Sequence, residues 1–404
     1  MKGKNIIIVI LLLAVAFFGV VVIMAINQTK TSSESSNNNP SATKPDEGEP
    51  EPIDIYADRI EDQLAEMTLD EKIAQLLIVQ PNSNKLAHQY GGIILMEPNY
   101  STLAGTKQLV QDLQKTSKLP LIVSTDQEGG SVQRLQKITD RRATYIPEMY
   151  RLGSANDPEL TYDVGRVLAE ELRVIGVNVA FAPVLDIYSN SQNRVIGHRS
   201  FSSNRDVVSN MGLKLAAGLF ENGVIPTYKH FPGHGDTATD SHYSLPIIQK
   251  DYNQLAENEL VPFQNAIAAG AQIIMVGHIA LPKVTGDNTP ATLSHKITTG
   301  ILRNKLGYEG LIVTDGLNMG ALTNNYSESE IYWRAVEAGA DLLLLPRNAN
   351  VAIKSIRDHV KEERIDESVR RILRFKYQYL ENYEQLDDSY FGSVEHSEVV
   401  KRVP

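Results

Sequence analysis

No cysteine occurs anywhere in the 404 residues. Disulfides, thiol catalysis, zinc–thiolate sites and a lipid-modified cysteine are therefore excluded. Whatever folds must be held by its apolar core, which a chain this long can build. Basic charge is also scarce, with 39 Lys and Arg against 49 Asp and Glu and a net charge of -10. No basic stripe interleaved with aromatics offsets that balance, so a nucleic-acid partner is set aside. No Gly-rich dinucleotide turn follows a candidate strand, and no short internal repeat is present. Long uncharged apolar stretches are confined to residues 6–26.

That stretch follows Lys2 and Lys4. Its helical length, about 31 Å, is about the hydrocarbon thickness of a bilayer. A cleavable signal peptide has a shorter apolar core, about 7–15 residues, and a small-x-small site after it that this sequence does not show. Residues 1–28 are read as a signal anchor, with a cleaved signal peptide as the alternative. Positive charge before the run and acidic residues after it direct the bulk of the chain outside the cytoplasm. Residues 29–52 are rich in Ser, Asn, Pro and acidic residues, with Ala42 as the sole apolar side chain. Such a segment cannot bury enough surface to offset chain entropy and reads as a flexible linker, with a reach of about 25–30 Å. Residues 53–385 then form the folded domain and 386–404 a C-terminal tail.

From residue 53 onward, short apolar runs alternate with amphipathic stretches. The runs at 75–79, 92–96, 120–124, 177–182, 224–228, 271–276, 310–314 and 341–345 are continuously apolar. That pattern fits parallel strands covered on both faces. Helical spacing marks 204–222, opening at Asn204, then 251–269, and then 366–380, opening at Asp366. Eight strand–helix units predict a single α/β domain, a (β/α)8 TIM-type barrel. An open doubly wound sheet is the rival architecture.

In such barrels chemistry gathers where strands end and loops begin. Asp126 follows the third run, Asp186 the fourth, Lys229 and His230 close the fifth, His278 follows the sixth and Asp315 closes the seventh. Each alone could be a helix cap or a solvated loop residue. The densest stretch runs from Lys229 to His242, with His230, His234, His242, Asp236 and Asp240 between glycines. Hydrogen bonds that tie down a long loop would explain His234 and Asp236. A metal site is the other reading of so many imidazoles and carboxylates, but the spacing matches no short metalloenzyme motif. Asp315, followed by Gly316, could attack an anomeric carbon, hold a sugar hydroxyl or cap the next helix.

Together the segments DQEGGSVQRL (126–135), GHRSF (197–201), KHFPGHGDTATDSHYSLP (229–246), IMVGHI (274–279), PATLS (290–294) and VTDGLNMGAL (313–322) resemble glycoside hydrolase family 3, in its bacterial β-N-acetylglucosaminidase branch. The resemblance runs from about residue 60 to residue 379. It implies that Asp315 is a nucleophile and that His242, paired with Asp240, is the general acid/base. Asp126, Arg134, Arg199, Lys229 and His230 would grip the terminal sugar. No cofactor or metal is implied. The chain departs from the family pattern at Gly316, where many relatives carry an acidic or larger residue, and at Ser131, where Arg is frequent.

The activity so implied is retaining hydrolysis of terminal β-linked N-acetylglucosamine, with peptidoglycan fragments as substrate and an address outside the cytoplasm, at the membrane. A histidine in place of the usual second carboxylate needs Asp240 to orient it and stabilise its charged form. Gly233 and Gly235 suggest that its loop moves. A neutral base also repels an anionic acceptor less, which keeps a phosphorylase of the same family as an alternative. A β-glucosidase, a metal-dependent barrel hydrolase and a catalytically silent wall-binding barrel are the remaining rivals.

Overall fold

A computed structural model describes residues 54–81 and 89–404. The apolar stretch 6–26 and the linker 29–52 lie outside the described residues. Among the described residues no helix is long and apolar enough to cross a membrane.

Eight parallel strands form the core. They are β1 (Leu77–Val79), β2 (Gly92–Ile94), β3 (Ile122–Thr125), β4 (Val179–Ala180), β5 (Ile225–Phe231), β6 (Ile273–Val276), β7 (Leu311–Thr314) and β8 (Leu343–Leu344). Each pairs with its neighbours in chain order, and β8 pairs back to β1 through Leu77 with Leu343 and Ile78 with Leu344. A single parallel bridge, Val313 to Leu342, joins β7 to β8 and completes the ring. Each of the eight apolar runs read from the sequence overlaps one of these strands, β3 running one residue and β5 three residues past the run that marks it.

Continuous apolarity arises because both faces of each strand are covered. Alternate residues fall into two clusters, as the period of 2 along a strand requires. Ile93, Val123, Ala180, Ile274 and Ile312 share one with Val164, Leu168, Met211 and Leu215 of the helices Pro158–Val174 and Arg205–Glu221. Ile94, Ile122, Val179, Ile273 and Val313 share the other with Ile365, Val369 and Ile372 of the helix Glu362–Phe375.

Local capping explains where the helices start. Asn204 accepts from the amides of Asp206 and Val207, so Arg205–Glu221 begins where the sequence suggests. The stretch 251–269 is two helices. Asp251 and Gln254 form a reciprocal capping box on Tyr252–Glu257, and Pro262 stands in the first turn of Val261–Ala268, where the missing N–H costs nothing. The final long helix begins at Glu362, four residues before Asp366. Asp366 does not cap it, because its carboxylate takes the Lys72 ammonium at 2.9 Å. A π-helical turn at Lys376–Leu380 extends this helix.

Residues 386–404 end in the helix Val394–Lys401, which packs on Pro158–Val174. His396 is buried there, with Nε2 2.6 Å from Glu170 and Nδ1 3.3 Å from Glu171. Glu171 also accepts the amides of Thr144 and Gly392. Burial pulls this imidazole down, but the two carboxylates outweigh it and raise it to about 9. Its folded value lies above the ordinary 6.5. The contribution to stability is therefore fully present below pH 6.5 and is lost as pH rises through about 9. Thermal unfolding of wild type and His396→Gln should differ most below pH 6.5, the difference shrinking above about pH 9. A gap that stays constant with pH would show that His396 acts by packing alone.

Candidate active site

The C-terminal ends of β3, β4, β5 and β7 converge on a cavity of about 130 Å³. Asp126, Arg134, Arg199, Lys229, His230, His242 and Asp315 all line it. Asp240 stands behind His242 and accepts from it at 2.8 Å. The site residues read from the sequence therefore meet at one mouth. A larger cavity, about 490 Å³, lies between the helix Leu103–Thr116 and residues 380–385 and has no histidine. Chemistry, not size, singles out the barrel mouth.

The strand β5 supplies two of these groups. In a regular strand, neighbouring side chains point to opposite faces. The register of β5 on β6 shifts between Tyr228 and Phe231, and both Lys229 and His230 line the cavity. Asp186, fully buried beyond β4, holds this segment: it accepts from His230 Nδ1 at 2.6 Å and from the amide of His234 at 2.6 Å. Burial pushes the Asp186 carboxyl up, yet His230 and His234 bring it below its ordinary value. With Nδ1 committed to Asp186, the other ring nitrogen of His230 is left for a ligand.

Glu128 organises the cations. Its side chain is 2 % exposed and takes Arg199 bidentately, 2.8 Å at each oxygen. The same carboxylate meets Lys229 Nζ at 2.6 Å, and Lys229 also reaches Asp126 at 2.8 Å. Burial would raise the Glu128 carboxyl, but the guanidinium and ammonium hold it far below the usual carboxylate range. Lys229 is raised, because Asp126 and Glu128 outweigh the burial that would lower it. Sequence reasoning missed Glu128. The signal was there, an acid one residue before the glycine pair in DQEGG, but nothing in the chain says that Arg199 lies opposite. Arg134 contributes a buried Nε with no protein partner, a donor open to a ligand.

Asp315 sits just past β7, partly exposed to the cavity. Its Oδ1 accepts the amide of Gly316 at 2.7 Å. Burial alone raises this carboxyl, but the imidazoles of His230 and His278, the Gly316 amide and the Lys229 ammonium bring it down to about 2. His278 donates Nε2–H to the Gly316 carbonyl at 2.9 Å, while its Nδ1 lies 2.7 Å from the Thr292 hydroxyl. The GHI and PATLS segments thus meet under the turn that carries Asp315.

His242 is the most open member, with a side chain 62 % exposed. Its Nδ1–H donates to Asp240, and its amide donates to the same oxygen at 2.8 Å. The glycines of this loop answer to close packing. A Cβ on Gly235 would stand 1.7 Å from the Ile187 carbonyl oxygen, and Gly233 holds a φ of +119°. Neither is evidence of a hinge. His234 and Asp236 tie down the loop, His234 Nε2 lying 3.3 Å from the Ser241 hydroxyl and Asp236 pairing with Lys250 at 2.8 Å. Among the described residues no group of three or more imidazoles and carboxylates is arranged to hold a metal ion.

A parallel eight-stranded barrel with carboxylates, cations and imidazoles converging at the C-terminal ends of its strands defines a barrel enzyme. Residues 68–375 match the glycosyl hydrolase family 3 N terminal domain, and the chain belongs to that family. It is 36% identical over 278 residues to the β-hexosaminidase of Nitrosospira multiformis, covering 67% of this chain and 78% of that one. Identity to β-hexosaminidase A of Pseudoalteromonas piscicida is 34% over 294 residues, covering 68% of this chain and 49% of the relative. The chain therefore spans about half the length of that relative. A solved family 3 β-N-acetylglucosaminidase from Paenibacillus sp. superposes with a TM-score of 0.76 at 36% identity, over 83% of this chain and 68% of that one.

Replacing Glu128 by Gln removes the anion between two buried cations. Uncompensated charge of this kind costs about 3–5 kcal/mol. Glu128→Gln should lower the urea midpoint accordingly and raise KM, whereas an unchanged midpoint would mean that Arg199 and Lys229 are held by other contacts.

Proposed function

We propose that the chain is a retaining exo-β-N-acetylglucosaminidase in which Asp315 is the nucleophile and His242, oriented by Asp240, is the general acid/base. The observation that carries this reading is one cavity lined by a carboxylate held ionised down to a pH of about 2 and by an exposed imidazole whose Nδ1 is committed to a carboxylate. An attacking carboxylate must be unprotonated, and a proton donor at a leaving oxygen must be reachable.

In the first step Asp315 attacks C1 of the sugar, its oxygen forming a bond as the C1–O bond to the aglycone breaks. His242 Nε2–H gives its proton to the departing oxygen. In the second step neutral His242 takes a proton from water, whose oxygen attacks C1 and releases Asp315. Two inversions at C1 give retention. Asp240 stabilises the imidazolium before the first step and again after the second, as the carboxylate of a catalytic triad does.

Asp126, Arg134, Arg199, Lys229 and His230 hold the terminal sugar. The open Nε of Arg134 and the uncommitted nitrogen of His230 supply donors, and Asp126 supplies an acceptor. The names of the Nitrosospira and Pseudoalteromonas relatives and of the Paenibacillus structure support an N-acetylhexosamine at this position.

Peptidoglycan fragments are the proposed source of that sugar, outside the cytoplasm and next to the membrane. The support is the apolar stretch 6–26 with its flanking charges. Asp54, the first described residue, pairs with Arg374, which lies beside Gln272 and Leu311 at the N-terminal ends of β6 and β7.

Chromogenic β-N-acetylglucosaminide and β-glucoside, each given to wild type and to Asp315→Asn, test the reading. Wild type should prefer the acetamido sugar, with sugar and not sugar phosphate released when phosphate is added. The variant should lose about 10³-fold or more in kcat, since it lacks the covalent step. Hydrolysis of the glucoside alone, or an active Asp315→Asn enzyme, would refute it.

A further inference from the structure

Asp315 and His242 come from different strands, one fixed just beyond β7 and the other on the loop that follows β5. Their roles need a constant separation, because the nucleophile works on one side of the anomeric carbon and the proton donor on the other. The tight turn that carries His242 has its own hydrogen bonds, with the amides of Tyr243 and Ser244 both donating to the Asp240 carbonyl at 3.0 Å. These shape the turn but do not locate it.

What locates it is the segment that follows the nucleophile. Three consecutive carbonyls of the turn receive donors from one short stretch. The Ala321 amide donates to Ser241 at 3.0 Å, the Gly320 amide to His242 at 3.0 Å, and Asn324 Nδ2 to Tyr243 at 2.8 Å. Gly320 is what lets the two backbones approach. A Cβ there would stand 2.6 Å from the His242 carbonyl oxygen and 2.9 Å from that of Tyr243. Gly320 lies in the same loop–helix segment as Asp315, whose own turn is pinned by the His278 bond to Gly316.

We propose that Gly320 and Asn324 are positioning residues for the acid/base, coupling the placement of His242 to the backbone that carries Asp315. This rests on the assignment of His242 as proton donor. The segment sets the distance between donor and nucleophile, and it does so through backbone carbonyls, so the exposed Tyr243 side chain can vary without moving the imidazole. Neither Gly320 nor Asn324 lines the cavity.

A proton donor out of place matters only for leaving groups that need a proton. The test is therefore a series of β-N-acetylglucosaminides whose aglycones run from dinitrophenol, which departs unaided, through methylumbelliferone to a simple alcohol. Gly320→Ala, Asn324→Ala, His242→Ala and the double variant Gly320→Ala/His242→Ala are compared by kcat/KM. Asn324 is exposed, so Asn324→Ala should keep its unfolding midpoint, whereas Gly320→Ala, whose Cβ must push backbone carbonyls aside, should lower its own. If Gly320→Ala does not fold, Asn324→Ala carries the test alone.

The expected result is a loss of about tenfold or more with the alcohol and less than about threefold with dinitrophenol in Gly320→Ala, with a smaller loss of the same pattern in Asn324→Ala. The double variant should be no worse than His242→Ala, as for residues that act through one another. Equal losses on every aglycone, beside a graded loss in His242→Ala, would overturn the positioning role and leave the proton donor standing. A His242→Ala enzyme with no graded loss would overturn the donor assignment, and this inference with it.

Discussion

Two cations sit at the mouth of the barrel, and one buried carboxylate pairs with both. Glu128 takes Arg199 through two oxygens and Lys229 through one of them. Buried charge is tolerated only when paired and hydrogen bonded, and here the pairing joins three separate parts of the chain. The hairpin after β3 supplies the acid, the turn at Gly197–Arg199 supplies the guanidinium, and β5 supplies the ammonium. Once those are fixed, Asp126 is held by Lys229 and the floor of the pocket has one shape.

The imidazoles of His230 and His278, with the Gly316 amide and Lys229, set the state of Asp315. A carboxylate withdrawn from water at the end of a buried strand would ordinarily take up a proton. These groups reverse that, and the carboxyl is brought down to about 2. Under the proposed mechanism, binding and catalysis thus share His230 and Lys229, which grip the sugar and also keep the nucleophile ionised. His242, the proposed acid/base, stands apart from this network. Its partner is Asp240, two residues away on an exposed loop, where a proton can be exchanged with water between the two steps. That loop is held by His234 and Asp236 and by hydrogen bonds from residues 320–324 to its carbonyls.

Much of this was legible in the chain. Stretches such as 273–276 and 311–313 are apolar throughout, as strands covered on both faces require. Asn204 marks a helix start because its side chain can satisfy amides that the helix leaves open. Asp366 looks the same in sequence, yet it meets Lys72 and the helix starts a turn earlier. Local signals fail where a residue has a better partner far along the chain. Gly235 makes the same point. Read as freedom to move, it proves to be the absence of a side chain where the Ile187 carbonyl passes.

The order of apolar and amphipathic stretches alone determined the barrel, because a strand–helix alternation of this period buries its surface in few other ways. The residue types at strand ends likewise named Asp126, Lys229, His230 and Asp315, whereas Arg134, Arg199 and the role of His242 came only with the family resemblance. Tertiary structure decided the rest. That Glu128 is the hub, that Asp186 aims His230 and that residues 320–324 carry the His242 turn are contacts between segments 40 to 80 residues apart or more. Such contacts depend on how the strands are staggered around the ring, and no spacing within one segment encodes that stagger.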